Sequence, residues 1–370
     1  MSGAGLIAPV AARPGGWRHV LIGDAQSPHL LKWARALAPR VELYVASSRG
    51  FDAGFDGLVS AERRLALDAD VRHGGGNVAT LRRLPELARW LRRIDADWLH
   101  PHYLTSHGTL AVAARFGWRL RGRIVGSAWG SDILVTPQQG AAWRWLTRRV
   151  LRGCALSTSD SMHMAEQMRR LGAGEVMVFP FGLEALPPPP PAKQPWLFFA
   201  NRGLEPIYAP ERVLDVFAAI AQQQPAARLV VANDGSLRAA LQARAAAIGL
   251  GDRVRFVGRL DAVAQAREYA RAAGYLSLPV SDSVSVSVLE AMAHGCVPLL
   301  SDLPANRELV ESGRNGLILT GMPQPAELAA LMARADPIAR DNRAWVQQHG
   351  LFEPAVQRLL ARLAQLMPER

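Results

Sequence analysis

Residues 281–295 read SDSVSVSVLEAMAHG. A buried-strand pattern, GYLSLPV (274–280), runs into alternating serine and valine and then into a helix start, VSVLEAMAHG, closed by Gly295. The first turn of a helix leaves backbone N–H groups unpaired and carries partial positive charge. Small residues and hydroxyls at such a turn let a phosphate come close. Asp282 stands before the turn, and Glu290 stands one turn into the helix, where it could reach sideways to a ribose. Ser287-x-x-Glu290 also fits a capping box, in which the glutamate only satisfies the helix's own first N–H. On these residues alone both readings stand.

No paired D-x-D follows a strand pattern. The nine histidines show no ligand spacing apart from His100-x-His102, so no metal site is expected. Those two histidines alternate along a strand. That alternation predicts that only one of them faces outward and that His100 packs in the core.

The elements that must hold these residues are short apolar runs separated by helical stretches. In the first half the runs are HVLIGDA (19–25), VELYVAS (41–47), WLHPHY (98–103), RIVGSAWG (123–130) and EVMVFPFG (175–182). Between them lie patterns such as SPHLLKWARALA and SDSMHMAEQMRRLG; the latter starts on a serine cap and stops at Gly172. After five consecutive prolines at 187–191 the alternation restarts with PWLFFANRG, ARLVVANDG, VRFVGRL, GYLSLPV, VPLLSD and GLIL. Such alternation predicts βαβ units and mostly parallel sheets. The prolines enter neither a helix nor a central strand, so they predict a stiff extended connector. The expected architecture is α/β: two Rossmann-like doubly wound domains facing an interdomain cleft. Residues 1–182 form the first domain, 183–196 a linker, and 197–345 the second domain. The apolar stripe of EPAVQRLLARLAQLM predicts a C-terminal helix within 346–370.

The totals bound the function. The chain has 370 residues, 49% of them hydrophobic, enough for two cores. No apolar run approaches a membrane span. The opening MSGAGLIAPVAARPGG has no basic stretch ahead of its apolar one, so it reads as a lead into the first strand and not as a secretory leader. Cys154 and Cys296 lie in apolar segments and read as buried thiols of a reducing compartment, which points to a cytoplasmic protein. Net charge is +11, and Lys32 and Lys193 are the only lysines, so the charge is nearly all arginine. A basic surface suits phosphate-bearing partners. No recognition module or aromatic-interleaved basic stripe points to nucleic acid.

The stretch LPVSDSVSVSVLEAMAHGCVPLLSDLPANRELVESGRNGLIL closely resembles the donor-binding signature of family 4 retaining glycosyltransferases. DWLHPHYLTSHGTLA, VGSAWGSDIL, VMVFPFGLE and ARLVVANDGSLRAALQARAAAIGLGDRVRFVGRL resemble further segments of that family in the same order. The resemblance implies a GT-B fold whose C-terminal helix crosses back to the N-terminal domain. It also implies a nucleotide-sugar donor as co-substrate with no other cofactor, and a glycan or lipid-linked acceptor.

Carried over residue by residue, it implies that Asp282 contacts the donor sugar, Glu290 the ribose, and Ser283, Val284, Ser285 and Val286 the diphosphate and sugar. Arg202 would pair with the diphosphate, and Val257, Gly258 and Arg259 would line the base pocket. Gly23 and Asp24 fall in the loop that closes over the donor, His102 falls near the reacting carbon, and His29 and Asp132 fall on the acceptor side. The catalytic set is then His102, Asp282 and Arg202. Three features depart from the family pattern. Asp282 is one methylene shorter than the usual glutamate. Ile207 stands where a second, basic residue is usual, with Tyr208 beside it. The first loop, GDAQSPH, has Asp24 and His29 among its glycine positions. A second cation would then come from Arg259, Arg307 or an arginine of the first domain.

The chemistry implied is metal-independent transfer with retention at the sugar carbon, in surface polysaccharide or glycoconjugate synthesis. Two other classes fit parts of the pattern: a sugar-nucleotide 2-epimerase of the same fold, and a non-catalytic nucleotide-sugar-binding partner. LRRLPELARWLRR (81–93) and AAWRWLTRRVLR (141–152) are basic stretches that carry tryptophan. Such helices suit an anionic membrane surface, here the inner face of the plasma membrane. A plain solvated helix face fits them equally.

Overall fold

Each strand-like run of the sequence becomes a strand in the computed structural model, which describes residues 16–69 and 81–367. The opening segment read as a lead lies, up to residue 15, outside the described residues. The chain forms two compact units. The first holds residues up to Ser159, Ala165–Met177 and the chain from Glu353 onward; the second holds Asp160–Met164 and Val178–Phe352.

In the first unit the strands are β1 (Arg18–Gly23), β2 (Glu42–Ser47), β3 (Arg64–Ala66), β4 (Trp98–Pro101), β5 (Arg123–Ser127), β6 (Leu156–Ser159) and β7 (Val176–Val178). They lie in the order β3-β2-β1-β4-β5-β6-β7. β1 pairs in parallel with β2 on one side and β4 on the other, Leu21 opposite Val45 and His100. Its last five residues are buried, the near-continuous apolar run expected of a parallel strand covered on both faces. The Pro28–Leu37 helix follows, its Ser27 hydroxyl accepting from the His29 amide at 3.3 Å. Gly23 lets this helix close on the strand end, since a Cβ there would stand 2.9 Å from Leu30 Cδ1. The Phe352–Gln365 helix joins this unit through Arg362, which grips Glu175 with two 2.7 Å bonds, and through Arg40, which pairs with Glu353.

The second unit holds β8 (Gln194–Ala200), β9 (Arg228–Ala232), β10 (Val254–Gly258), β11 (Ala272–Ser277), β12 (Val297–Ser301) and β13 (Leu317–Leu319), in the order β10-β9-β8-β11-β12-β13. β11 is buried along its whole length. Gly274 within it admits the Phe198 ring, which would lie 2.4 Å from an added Cβ. The proline run is not a free tether. Arg343 donates to the carbonyls of Pro187, Pro188 and Ala293, and Lys193 Nζ donates to the Tyr269 carbonyl at 2.8 Å. The run therefore belongs to the second unit. So does the Ala335–His349 helix, whose Val346 is fully buried in that unit's core.

Both sheets follow the third-second-first-fourth order of Rossmann-like domains. The order reverses between β1 and β4 in one unit and between β8 and β11 in the other. In such sheets ligands bind outside the carboxyl ends of the strands at that reversal.

Candidate functional site

In the second unit the reversal is flanked by the segments after β8 and β11, and these carry Arg202 and Asp282. Arg202 Nη2 donates to Asp282 Oδ2 at 2.6 Å, and Nη1 donates to the Ser285 hydroxyl. The guanidinium lies 4.5 Å from the centre of the Tyr208 ring. Its Nε is buried and has no hydrogen-bond partner among the described residues. Burial holds the Asp282 carboxyl above its ordinary value, and Arg202 and the Ser283 amide pull it back only in part. An anion arriving on Arg202 would compete with this carboxylate for the guanidinium.

Ser285 is the N-cap of the Val286–Ala293 helix. Ser287 therefore lies inside the first turn, two residues beyond the place a Ser287–Glu290 capping box requires. Glu290 Oε2 instead accepts from the Tyr269 hydroxyl at 3.0 Å and from Gln265 Nε2 at 3.3 Å. Tyr269 is fully buried; its single hydroxyl proton is shared between Glu290 Oε2 and the Ser287 carbonyl, and the hydroxyl oxygen accepts from Asn201 Nδ2 at 2.8 Å, while Asn201 Oδ1 accepts from the Tyr275 hydroxyl. This network fixes the carboxylate one turn beyond the phosphate-type turn. Ser283 donates to Asp160, and Ser161 Oγ lies 2.8 Å from Ser283 Oγ. Val284 packs into the core, and Val286 is half-buried.

Gly258 ends β10 at φ +73°, a conformation suited to glycine, and its carbonyl accepts from the Asn233 amide at 2.7 Å. Val257 is half-buried, and Arg259 is exposed beside it. Arg307 is held by Asp302 at 2.5 and 2.9 Å. Ile207 lies on a short 3-10 turn ahead of Tyr208. Arg238 lies next to Gly258, 3.3 Å from where its Cβ would be, and pairs with Asp234 at 3.2 Å. Its side chain carries charge to the β10 end without any signal in the sequence reading.

In the first unit the reversal is flanked by Gly23, which ends β1, by Asp24 after it, and by His102 after β4. Asp24 Oδ1 accepts from the Gln26 amide at 3.0 Å, and Oδ2 lies 3.6 Å from Arg49 Nε. The alternation argument for His100 and His102 fails. Residues two apart share a strand face, both side chains are fully buried, and their rings lie 4.3 Å apart. His100 joins a buried chain from His19 Nε2 (3.0 Å) to Ser127 Oγ (2.7 Å) and on to Thr158 Oγ1 (2.7 Å). Burial pushes His19 down to about 3, and it drives His100 and His102 well below the ordinary histidine value, so these rings are neutral.

His29 is exposed and meets the Trp129 ring edge-on at 5.4 Å. Asp132, assigned by resemblance to an acceptor side, is fully buried. Its Oδ2 accepts from the Leu104 amide at 2.7 Å and its Oδ1 from the Trp129 amide at 3.0 Å. Burial raises its carboxyl to about 6 against the pull of these amides. In this structure the side chain clasps the β5 loop to the segment after β4. Tyr269 escapes the sequence reading because it belongs to no spaced motif, and Trp129, though inside VGSAWGSDIL, has no charge to mark it there; Asp160 could have been found at the end of β6, had LSTS been read as a strand.

The first unit therefore offers buried neutral imidazoles, and the second a cation facing hydroxyls, a helix start and two carboxylates. Among the described residues no group of three or more His, Cys, Asp or Glu side chains is placed to hold a metal ion. Residues 194–335 match the family described as Glycosyl transferases group 1, and residues 20–161 match Glycosyl transferase 4-like. The Mycobacterium tuberculosis phosphatidyl-myo-inositol mannosyltransferase is 26% identical over 84% of this chain and 82% of its own length. Anabaena HepE, solved with UDP-glucose, shares the fold with a TM-score of 0.72 at 16% identity, over 95% of this chain and 100% of that one. The sucrose-phosphate synthase of Thermosynechococcus elongatus does so with 0.72 at 18% identity, over 94% and 98%.

Proposed function

The chain belongs to the group 1 glycosyl transferases of GT-B type, and from that premise we propose that it moves a sugar, with retention of configuration, from a nucleoside-diphosphate donor to a glycan or lipid-linked acceptor. The observation that carries this reading is the cluster of Arg202, Asp282 and Ser285 at the strand-order reversal of the second unit, with Glu290 held one turn on. A buried guanidinium beside a helix N-terminus suits a diphosphate. Arg202 and the amides of the 283–286 turn neutralise charge that grows on the leaving phosphate oxygen, a preorganised donor at such a site contributing about 3–4 kcal/mol. Glu290, fixed by Tyr269, accepts from a ribose hydroxyl, and Asp282 accepts from a hydroxyl of the sugar.

As the bond from the sugar carbon to the phosphate oxygen breaks, the acceptor hydroxyl attacks on the same face. Its proton passes to the departing phosphate oxygen, so no enzyme carboxylate becomes a nucleophile. The reaction as written needs no metal. We place it in surface polysaccharide or glycoconjugate synthesis, at the cytoplasmic face of the plasma membrane. Of the two basic stretches that carry tryptophan, only one suits a lipid surface. Trp90 is buried in its helix, whereas Trp145 in the arginine-rich Ala141–Gly153 helix is 67% exposed.

The test is a thermal-shift panel of UDP-, GDP-, ADP- and dTDP-sugars followed by a transfer assay. One donor should stabilise the protein and turn over, and Glu290→Ala should weaken that donor's binding. Epimerisation without acceptor, or binding without turnover, would overturn the transferase reading.

A further inference from the structure

The basic stretch 81–93 turns its Trp90 into the core, and its arginines find another place in the fold. Arg92, in the last turn of the Leu84–Ile94 helix, lines a cavity of about 200 Å³. The cavity lies at the amino ends of β4 and β5, opposite the ends that carry His102 and the β5 loop. One wall is the helix end and the residues that lead into β4; the other is the 119–122 segment that leads into β5. Leu91, Ala96 and Leu99 give it a buried apolar lining, with Leu120 half-buried beside them. Gly122 completes that lining, since a Cβ there would stand 2.9 Å from the Ala96 carbonyl oxygen and 3.1 Å from Leu99 Cγ.

The walls are fixed before any ligand arrives. Arg92 Nη2 donates to the Trp118 carbonyl at 2.8 Å and so bridges them, and Arg115 Nε donates to the Gly122 carbonyl at 2.7 Å. Each wall turns on a non-glycine residue in the left-handed region, Asp95 at φ +50° and Arg119 at φ +53°. Aspartate visits that region readily, whereas arginine is uncommon there.

The charge around the cavity is unbalanced. Arg92, Arg119 and Arg121 line it against the single carboxylate of Asp95, three cations to one anion, which leaves an excess of two positive charges. Arg121 approaches Asp95 only to 3.9 Å, with side chains 87% and 53% exposed, and such a pair is weak. Arg119 makes no hydrogen bond or ion pair among the described residues. Cations near helix ends offset the helix dipole, but that role needs neither a hollow between the walls nor a left-handed arginine. A phosphate monoester carries about two negative charges above pH 7 and presents three acceptor oxygens, which guanidinium forks match.

We propose that this cavity binds a small organic phosphate monoester, its dianion held by Arg92, Arg119 and Arg121 and its carbon body against Leu91, Leu99 and Leu120. The site goes beyond the transferase reading and shares no residue with it. Free sugar phosphates and the headgroup of phosphatidic acid carry the same chemistry.

Isothermal titration of the full chain with hexyl phosphate tests the site. Binding should saturate and should be about 10-fold tighter than that of inorganic phosphate, because the chain covers the apolar lining. Arg119→Gly combined with Arg121→Ala should weaken it about 10-fold or more. Glycine suits the backbone at 119 and Arg121 is largely exposed, so this variant should keep the wild-type melting temperature. Asp95→Asn, whose new side chain tolerates the same backbone, should tighten binding about 3-fold by removing the competing carboxylate. Hexyl phosphate held no tighter than inorganic phosphate would overturn the proposal. So would binding that survives the paired arginine variant, which places the anion elsewhere, or binding that Asp95→Asn fails to improve. Glucose 6-phosphate and dihexanoyl phosphatidic acid then separate the two sources. The tighter of them identifies a free phosphate or a lipid headgroup as the ligand, and failure of both to bind would also overturn the site.

Discussion

Acid should unfold this protein through the buried imidazoles of its first unit. His19, His100 and His102 are fully buried, and burial keeps each well below the ordinary histidine value of 6.5. An unfolded chain binds protons at these rings below pH 6.5 while the folded chain does not. The stability they contribute is therefore fully present above that pH and is lost as pH falls. Each ring removes about 1.4 kcal/mol per pH unit once the unfolded form is protonated, so three together remove about 4 kcal/mol between pH 7.5 and 5.5. Asp132 acts with the opposite sign. Its folded carboxyl titrates at about 6 against 3.8 for an ordinary aspartate, so it gains a proton in the same window and returns about 1 kcal/mol. The net loss is about 3 kcal/mol, to which His107, also lowered by burial, adds. With a urea slope of about 2 kcal/mol/M, the midpoint of the first unit should drop by about 1.5 M. Urea titrations at pH 7.5, 6.5 and 5.5, followed by tryptophan fluorescence, measure it; Trp33, Trp98 and Trp129 all lie in that unit. His102→Gln should show a pH slope shallower by about 1.4 kcal/mol per unit. A midpoint that holds from pH 7.5 to 5.5, or a variant with the wild-type slope, would refute the linkage argument.

Asp282→Asn leaves the Arg202 guanidinium without its counter-charge. Breaking a buried pair costs about 3–5 kcal/mol, trimmed here to about 2 by partial exposure, so the melting temperature should fall. A nucleoside diphosphate should then raise it by more than in the wild type, because no carboxylate competes for Arg202, and a smaller ligand-induced rise would count against the anion site. For the membrane reading, the wild type should float with phosphatidylglycerol vesicles and not with phosphatidylcholine, and each arginine near the surface contributes about 1 kcal/mol. Arg148→Ala with Arg149→Ala should abolish flotation; flotation that ignores lipid charge would dismiss the idea.

The second unit was legible because its strands are long apolar runs, each followed by a polar turn, as in VRFVGRL and ARLVVANDG. In the first unit β3 has three half-buried residues, RLA, and no pattern to read. β6, LSTS, looks like a loop because its hydroxyls are polar; they are buried because Thr158 bonds Ser127, a partner distant in sequence. The same limit hides the site's supports. Tyr269 and Asn201 are ordinary helix and strand-end residues until folding stacks them behind Glu290. Spacing reads what a helix or strand repeats, and it says nothing of contacts made once.

The strapping of the proline run bears on how such chains can be recombined. Arg343 and Lys193 fasten both ends of the run to the second unit, and Lys193 does so on the residue that steadies Glu290. A chimera cut within the prolines would strip the second unit of one fastening. Grafts onto a different first unit should carry residues 178–352 whole, with the splice ahead of Val178, and should keep Asp160–Met164, which belong to the same unit.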